Sequence, residues 1–293
     1  MASKYSCIGA GFCGTVWALF EDGQAIKRED GGSDRSLAND YAMHQRILQS
    51  FTRLTDIKRR SGIHQTFPQV RVSQCHHFIS PNDQWWTKNL PLFPSQYSPC
   101  NAIVSDRIRP FAEPIRKLVV DKFCNPAIQT EILTSAANSD CLIRPYLDQM
   151  EDIGILTEDM QSYARTMGEA LATLHWLGEV DGNDVEFVMA PPPFHEEEPN
   201  TNTITNVLGR HTMWMLDFDL CRYLPMSDAG VQQAVTAFWR NDPFYPRPQS
   251  KLWANFREQY LMSSGQIINE YSQVDIDERL SFARDFIGLI ETK

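Results

Sequence analysis

The chain is predicted to take an α+β fold, strand-rich over residues 1–108 and mostly helical over residues 109–293. Three observations predict it. Short apolar runs broken by glycines open the chain, an apolar strand at 101–108 marks a shift in composition, and helical periodicity dominates beyond it. "YSCIGAG", "GTVWALF" and "GQAIKRE", the last after a tight "EDG" turn, read as a β-meander. Residues 36–51 place Leu37, Tyr41, His44, Ile47, Leu48 and Phe51 at helical spacing, with Ser33, Asp34 or Ser36 as N-cap. A strand is expected at "QVRVSQCHHFI", then an irregular stretch rich in Pro, Trp and Ser, then the strand "NAIVSDRI". "EPIRKLVVDKF" reads as a helix and "DCLIRPYL" as a strand. "TEDMQSYARTMGEALATLHWLG" reads as a long amphipathic helix capped by Thr157, with Asp159 in its first turn and Met167, Leu171 and Leu174 on one face. Two strands, "VEFVM" and "TMWMLDFDL", flank a polar, proline-rich insertion at about 190–211 that reads as a surface loop. "VQQAVTAFWR", "KLWANFREQYL", "GQIINEYS" and "DIDERLSFARDFIGLIE" read as helices, and no internal repeat is visible.

Composition narrows the function classes. The 293 residues are 42% hydrophobic and 22% charged, as in a globular protein, and the longest apolar runs are too short to cross a membrane. With no apolar h-region at the N-terminus, the expected location is the cytoplasm and no membrane partner is expected. The net charge of −10 repels nucleic acid as a whole, so DNA is not an expected partner and any RNA contact must be local. Two basic clusters offer themselves, Arg53 with Lys58, Arg59 and Arg60, and Arg107, Arg109, Arg116 and Lys117 with Lys122; either is equally a solvated helix face. Seven cysteines are scattered without Cys-x-x-Cys spacing, and Cys75, His76 and His77 alternate faces if they form a strand, so no metal site is expected.

Gly9, Gly11 and Gly14, followed by Val16, fit G-x-G-x-x-G-x-V, and they lie between two strands rather than before a helix, which sets aside a dinucleotide fingerprint. Ala25-Ile26-Lys27 on the next strand and Asp40 on the following helix supply a lysine and an acidic partner for it. Asp217-Phe218-Asp219 resembles the D-F-G of protein kinases. Together these resemble a two-lobed protein-kinase-like fold, with the small lobe at 1–108 and the large lobe at 109–293.

A kinase needs H-R-D-L-x-x-x-N, and this chain lacks it. Asp181-Gly182-Asn183 falls where H-R-D belongs, with Asn183 in place of the base, and a strand begins at once. Asp181, Asp184, Glu186, Asp217 and Asp219 are therefore expected to crowd one cleft with acid, unless Asn183 and Asp184 only form an Asx-type turn. Such a cleft suits a guanidinium or an amine better than ATP.

"CNAIVSDRIRPF", "DCLIRPYL", "ALATLHWLGEVDGNDVEFVMAPP", "MWMLDFDLC" and "FWRNDPFYPRP" carry a further likeness. Over about residues 5 to 262 the chain resembles a fungal family labelled zinc-finger proteins although zinc-ligand spacing is absent, some members of which are arginine-containing cyclodipeptide synthases. That resemblance implies an aminoacyltransferase that takes arginyl-tRNA and a second aminoacyl-tRNA and releases cyclo(Arg-Xaa), with no cofactor at the condensation step. It implies Asp184 or Glu186 as general base or arginine anchor, Asp217 and Asp219 as binders of guanidinium or α-ammonium, and Lys27 as the group that orients a carboxylate or meets the oxyanion. Asp40, Asp181, Asn183 and the glycines Gly9, Gly11 and Gly14 complete the expected substrate site. Lys58, Arg59, Arg60, Arg107 and Arg109 are the expected tRNA contacts. Cys13 is a conceivable nucleophile and equally a packing residue. Two other readings stay open: an atypical small-molecule kinase using ATP and magnesium, and a silent scaffold that binds a partner through "QWWTKNLPLFPSQY".

Overall fold

The computed structural model describes residues 4–19, 23–33, 35–62, 66–135, 140, 142–193, 196, 202–241, 244–271 and 275–293. The candidate cap Asp34, two residues of the predicted "EDG" turn, Cys141 and most of 194–201 lie outside them. The fold is α+β. β1 (Ser6–Ala10), β2 (Thr15–Ala18) and β3 (Gln24–Arg28) form the expected antiparallel meander, which β6 (Ala102–Asp106) and β5 (Cys75–Ile79) extend to five strands in the order β1-β2-β3-β6-β5. A second sheet holds β4 (Arg71–Val72), β9 (Gly209–Leu216) and β7 (Glu186–Ala190), with β8 (Ile204–Asn206) paired to β9. The single strand expected at "QVRVSQCHHFI" is thus split: β4 lies parallel to β9 in one sheet, β5 antiparallel to β6 in the other, and the chain between them joins the two.

Helix α1 (Leu37–Arg60) runs well past the expected end at Phe51. Ser36 is its cap, its hydroxyl accepting from the Asn39 N–H, and Glu29 accepts from the Leu37 N–H at 2.7 Å. The extra turns follow from a continued apolar stripe: Leu54 and Ile57 carry on from Met43, Ile47 and Phe51, and all five join the large core formed by the C-terminal helices. Leu37, by contrast, packs toward the first sheet with Cys13, Cys75 and Ile103. One helix therefore serves two cores.

After α2 (Trp85–Asn89) and β6 come α3 (Glu113–Phe123), α4 (Gln129–Thr134) and α5 (Leu147–Met150). The strand expected at "DCLIRPYL" is reduced to a bridge between Ile143 and Met189, because Pro145 removes a ladder donor and the chain turns into α5. The long helix α6 (Thr157–Thr173) opens on Leu156 with no side-chain cap, so Thr157 is its first residue rather than its cap, and it runs into a π turn, Leu174–Gly178. It packs against α8 (Trp253–Tyr271) at Gly168, where a Cβ would lie 2.5 Å from the Phe256 carbonyl oxygen. "KLWANFREQYL" and "GQIINEYS" are one helix, α8, flanked by α7 (Asp228–Arg240) and α9 (Ile276–Glu291). The insertion is more than a loop, since β8 and the start of β9 form a hairpin inside it. No described helix is long and apolar enough to cross a membrane.

Two expectations about surface residues fail. In "QWWTKNLPLFPSQY", Trp86 and Phe93 are buried and pack with Trp17 and Ile26 on the outer face of the first sheet, around the buried guanidinium of Arg28. Those two aromatic residues are core, while Gln84, Thr87, Lys88, Pro91, Ser95 and Gln96 around them are exposed. Lys58 is also buried, and its Nζ bonds the equally buried Glu169 of α6 at 2.6 Å. Breaking such a pair leaves one buried charge uncompensated, whereas removing both can be neutral. Lys58→Met is expected to cost about 3–5 kcal/mol in urea unfolding. The double variant Lys58→Met with Glu169→Met is expected to recover most of that loss.

Candidate functional site

The site is organised by Lys27. From β3 its Nζ donates to Asp40 Oδ2 on α1 at 2.6 Å and to Asp217 Oδ1, just after β9, at 2.8 Å. Asp40 also accepts from the Phe218 N–H at 3.3 Å through its other oxygen. Burial works against the charge on Lys27, yet Asp40 and Asp217 outweigh it and hold the ammonium above the ordinary lysine range. Burial likewise opposes ionisation of Asp217, and Lys27 overrides it, so that carboxyl stays below its usual value. Lys27, Asp40 and Asp217, paired only on paper in the sequence, are one bonded unit.

A second cation shares the cleft. Arg35, in the loop before α1, donates from Nη1 to Asp184 Oδ2 at 2.9 Å and to both oxygens of Asp219 at 3.0 and 3.1 Å. Asn39 Nδ2 donates to the Asp219 and Cys221 carbonyls, tying the same segment to α1. The Asp219 side chain is almost wholly covered and Asp184 is about half exposed, at 1% and 46%. Burial and the neighbouring Asp217 push the Asp219 carboxyl up to about 6, against the opposing pull of Lys27 and Arg35. Asp184 and Asp217 both hold left-handed backbone, at φ 63° and 66°, a conformation that costs a non-glycine residue about 1–2 kcal/mol. Such strain persists only where surrounding bonds over-determine it. At Asp184 they do: its N–H donates to Asn241 Oδ1 at 2.6 Å, while Asn241 Nδ2 donates to the Gly182 carbonyl at 2.8 Å.

The predicted acid cluster divides at this loop. Asp184, Glu186 and Asp217 line cleft space, with Asp219 beneath Arg35. Asp181 and Asn183 do not join them. The Asp181 carboxylate accepts from the N–H groups of Arg222 (2.9 Å) and Asn183 (3.1 Å) and from Gln233 Nε2 (2.8 Å). Asn183 Nδ2 donates to the Leu220 carbonyl, and both residues border a separate cavity behind the loop. The Asx-type turn is real, and it belongs to Asp181. Glu186 opens β7 and accepts from Arg144 Nη2 at 2.6 Å.

Gly9, Gly11 and Gly14 line the main cleft, about 650 Å³, with Lys27, Asp217, Glu186 and Arg144. A smaller cavity of about 380 Å³ holds Arg35, Asp184 and Phe12, and the two share Glu186, Asp217 and Arg144 as a common wall. The glycine loop is closed on itself: Gly11 and Gly14 exchange N–H···O bonds at 2.8 and 3.2 Å, and the N–H groups of Gly31 and Gly32 strap its carbonyls. Gly14, at φ 147°, admits no side chain, because a Cβ would fall 2.1 Å from the Arg28 carbonyl oxygen. Cys13 is buried and its thiol is pushed up to about 11, so it is a packing residue and not a poised nucleophile.

Four of the groups a magnesium nucleotide would need are engaged within the protein. The loop amides of Gly11 and Gly14 are spent on each other, Asp217 is bonded to Lys27, Asp219 carries Arg35, and Asn183 faces away. Among the described residues no three His, Cys, Asp or Glu side chains gather as ligands for a metal.

The expected basic surface is also broken up. Lys58 is internal, and Arg107 is largely buried against Asp140 at the edge of the main cleft. Arg59, paired with Asp56, and Arg60 are exposed at the end of α1, and Arg109 is half-buried. Four side chains that bond the candidate site were not read from the sequence: Arg35, Arg144, Asn39 and Asn241. Arg35 meets its carboxylates across 149 and 184 residues, a pairing that no local pattern signals. Asn241 sits in "FWRNDPF", beside a helix end, and only that capping position hinted at a role.

A family model, DUF3669, described as "Zinc finger protein", matches residues 213–272. Comparison of the chain with curated proteins finds no match. The matched stretch carries Asp217, Asp219 and Asn241 but holds one cysteine, Cys221, and no histidine, so it contains no zinc-finger ligand set.

Removal of Arg35 tests the electrostatics. With a folded value near 6, above its ordinary 3.8, Asp219 favours the folded state most at low pH and loses that contribution as pH rises through about 6. Without Arg35 the ionised form is left buried and unpaired. Arg35→Ala is expected to cost about 3 kcal/mol at pH 8 and much less at pH 5, measured by urea unfolding at both values.

Proposed function

We propose that this cleft joins arginyl-tRNA to a second aminoacyl-tRNA and releases cyclo(Arg-Xaa), on a two-lobed, protein-kinase-like fold without the kinase catalytic loop. The observation that carries the reading is the guanidinium of Arg35 held between Asp184 and Asp219 beside Glu186, which supports a cavity built to hold arginine chemistry. The likeness to a kinase rests on the five-stranded sheet with α1, the Lys27–Asp40–Asp217 unit and the glycine hairpin.

An aminoacyl ester arrives activated, so the protein has only to orient, move a proton and stabilise an oxyanion. The arginine side chain enters the smaller cavity, where Asp184, engaged by Arg35 through one oxygen and about half exposed, anchors its guanidinium. The α-amine of one aminoacyl group attacks the ester carbonyl of the other. Glu186, on the shared wall and held by Arg144, accepts the amine proton. Lys27 spends two of its three N–H donors on Asp40 and Asp217, and the third meets the developing oxyanion. Collapse of the tetrahedral intermediate expels the tRNA 3′-oxygen, which takes the proton from Glu186. The free amine of the resulting dipeptidyl-tRNA then attacks the remaining ester in the same manner, closing the ring and releasing the second tRNA. Every bond formed is an amide and every bond broken is an ester, so no oxidant, reductant or nucleotide enters.

The test is mass spectrometry of products from protein incubated with tRNA, ATP, arginine, arginyl-tRNA synthetase, and pooled amino acids with their synthetases, with and without RNase. A cyclo(Arg-Xaa) mass that disappears with RNase is expected, and its absence overturns the reading. Glu186→Gln is expected to lower kcat by roughly 10²- to 10⁴-fold. Asp184→Asn is expected to raise KM for arginyl-tRNA with a smaller change in kcat.

A further inference from the structure

A further cavity adjoins the main cleft and the smaller cavity that holds Arg35. It has about 360 Å³ and lies between α3, α4 and the segment 142–153, and Leu142 and Arg144 line both it and the main cleft. Its walls are apolar: Val119, Val120 and Phe123 of α3, Leu133 of α4, and Ile143 and Met150. Phe123 is 39% exposed, which leaves a large apolar side chain facing open space. Arg116, Arg144, Tyr146 and Gln149 line it as well, and Arg144 is the one that also reaches Glu186. A pocket of this size, apolar over most of its lining and meeting the polar cleft at Arg144, suits an apolar side chain whose polar end stays outside.

We propose that this pocket takes the side chain of the second aminoacyl group and that it selects a large apolar or aromatic residue as Xaa. The inference rests on the synthase reading for the identity of its ligand. Three compartments then meet at Arg144, which borders all of them. Arginine occupies the polar cavity with Asp184, the reacting amine and ester meet at Glu186 and Lys27, and the apolar side chain passes Leu142 into the third space. Apolar contact discriminates modestly per methylene, roughly 10- to 200-fold, so selection against glycine and alanine is strong and selection among leucine, methionine and phenylalanine is weak. The expected product set is therefore a small group of large apolar Xaa.

Two measurements separate the pocket from the chemistry. The first is binding, by calorimetry on the full chain, of phenylalaninamide and glycinamide, which carry an aminoacyl group without tRNA. Wild type is expected to bind phenylalaninamide at least tenfold tighter than glycinamide. Val119→Trp, which fills the pocket, and Phe123→Ala, which removes an exposed wall and leaves the core alone, are both expected to erase most of that difference. Equal affinity for the two amides in wild type, or a preference that survives both variants, overturns the proposal. The second is the product profile: Val119→Trp is expected to cut cyclo(Arg-Xaa) with large Xaa at least tenfold relative to products with alanine, and an unchanged profile overturns it. If the amide preference and its loss are seen while wild type forms no cyclo(Arg-Xaa), the pocket stands and the synthase reading falls.

Discussion

The ammonium of Lys27, bonded at once to Asp40 and Asp217, is the constraint on which the rest of the molecule turns. Its three members come from the first sheet, from α1 and from the end of β9 in the second sheet, so the bonds fix three elements relative to one another. Energetically such a unit is a poor stabiliser, because taking ions out of water cancels most of their attraction. Its value is positional: Asp40 reaches on to the Phe218 amide, and Phe218, wholly buried, stands edge-on to His44 of α1. A charged contact and an apolar one thus set the same joint, and the cleft between the sheets inherits its width from both.

The placement of Arg35 follows from that joint. Because α1 is held by Asp40 at its first turn and by an apolar stripe along its length, the loop that precedes it has little freedom, and Arg35 is delivered over Asp219. Each cation of the cleft, Lys27 and Arg35, is shared between two carboxylates. Each group therefore carries one more negative than positive charge when all carboxylates are ionised, a balance that on the proposed reading suits a cationic ligand. The raised value at Asp219 comes first from its burial and then from the neighbouring Asp217.

What was legible in the sequence was the local part. The meander, the cap at Ser36 and the glycine hairpin follow from short-range patterns of turn geometry and strand alternation, whereas the lysine and its two acids, 13 and 190 residues apart, were legible only through the order of kinase-like motifs. What was not legible was whether a charged residue faces the cleft or the interior. Lys58 and Arg107 look like surface bases in one dimension and are buried partners of Glu169 and Asp140 in three. Asp181 looks like one more cleft acid, but three N–H donors from residues up to 52 positions away claim it. Aromatic residues failed in the same direction: Trp86 and Phe93 seal the outer face of a sheet because Arg28 gives them a guanidinium to pack around.

The shortened connection between the π turn and β7 has a chemical consequence of its own. A phosphotransfer site must hold a nucleophile, a base and a metal-bound phosphate in line, which requires a loop long enough to carry both base and metal ligand. Here Asp184 and Glu186 are separated by one residue, and Asn241 braces the turn before them, so the carboxylates stand close together on a rigid edge. Such an edge can hold a cation and pass a proton over a short distance. On the proposed reading the substrate brings its own activated carbonyl as an aminoacyl ester, with Lys27 relieved of phosphate and free to serve an oxyanion.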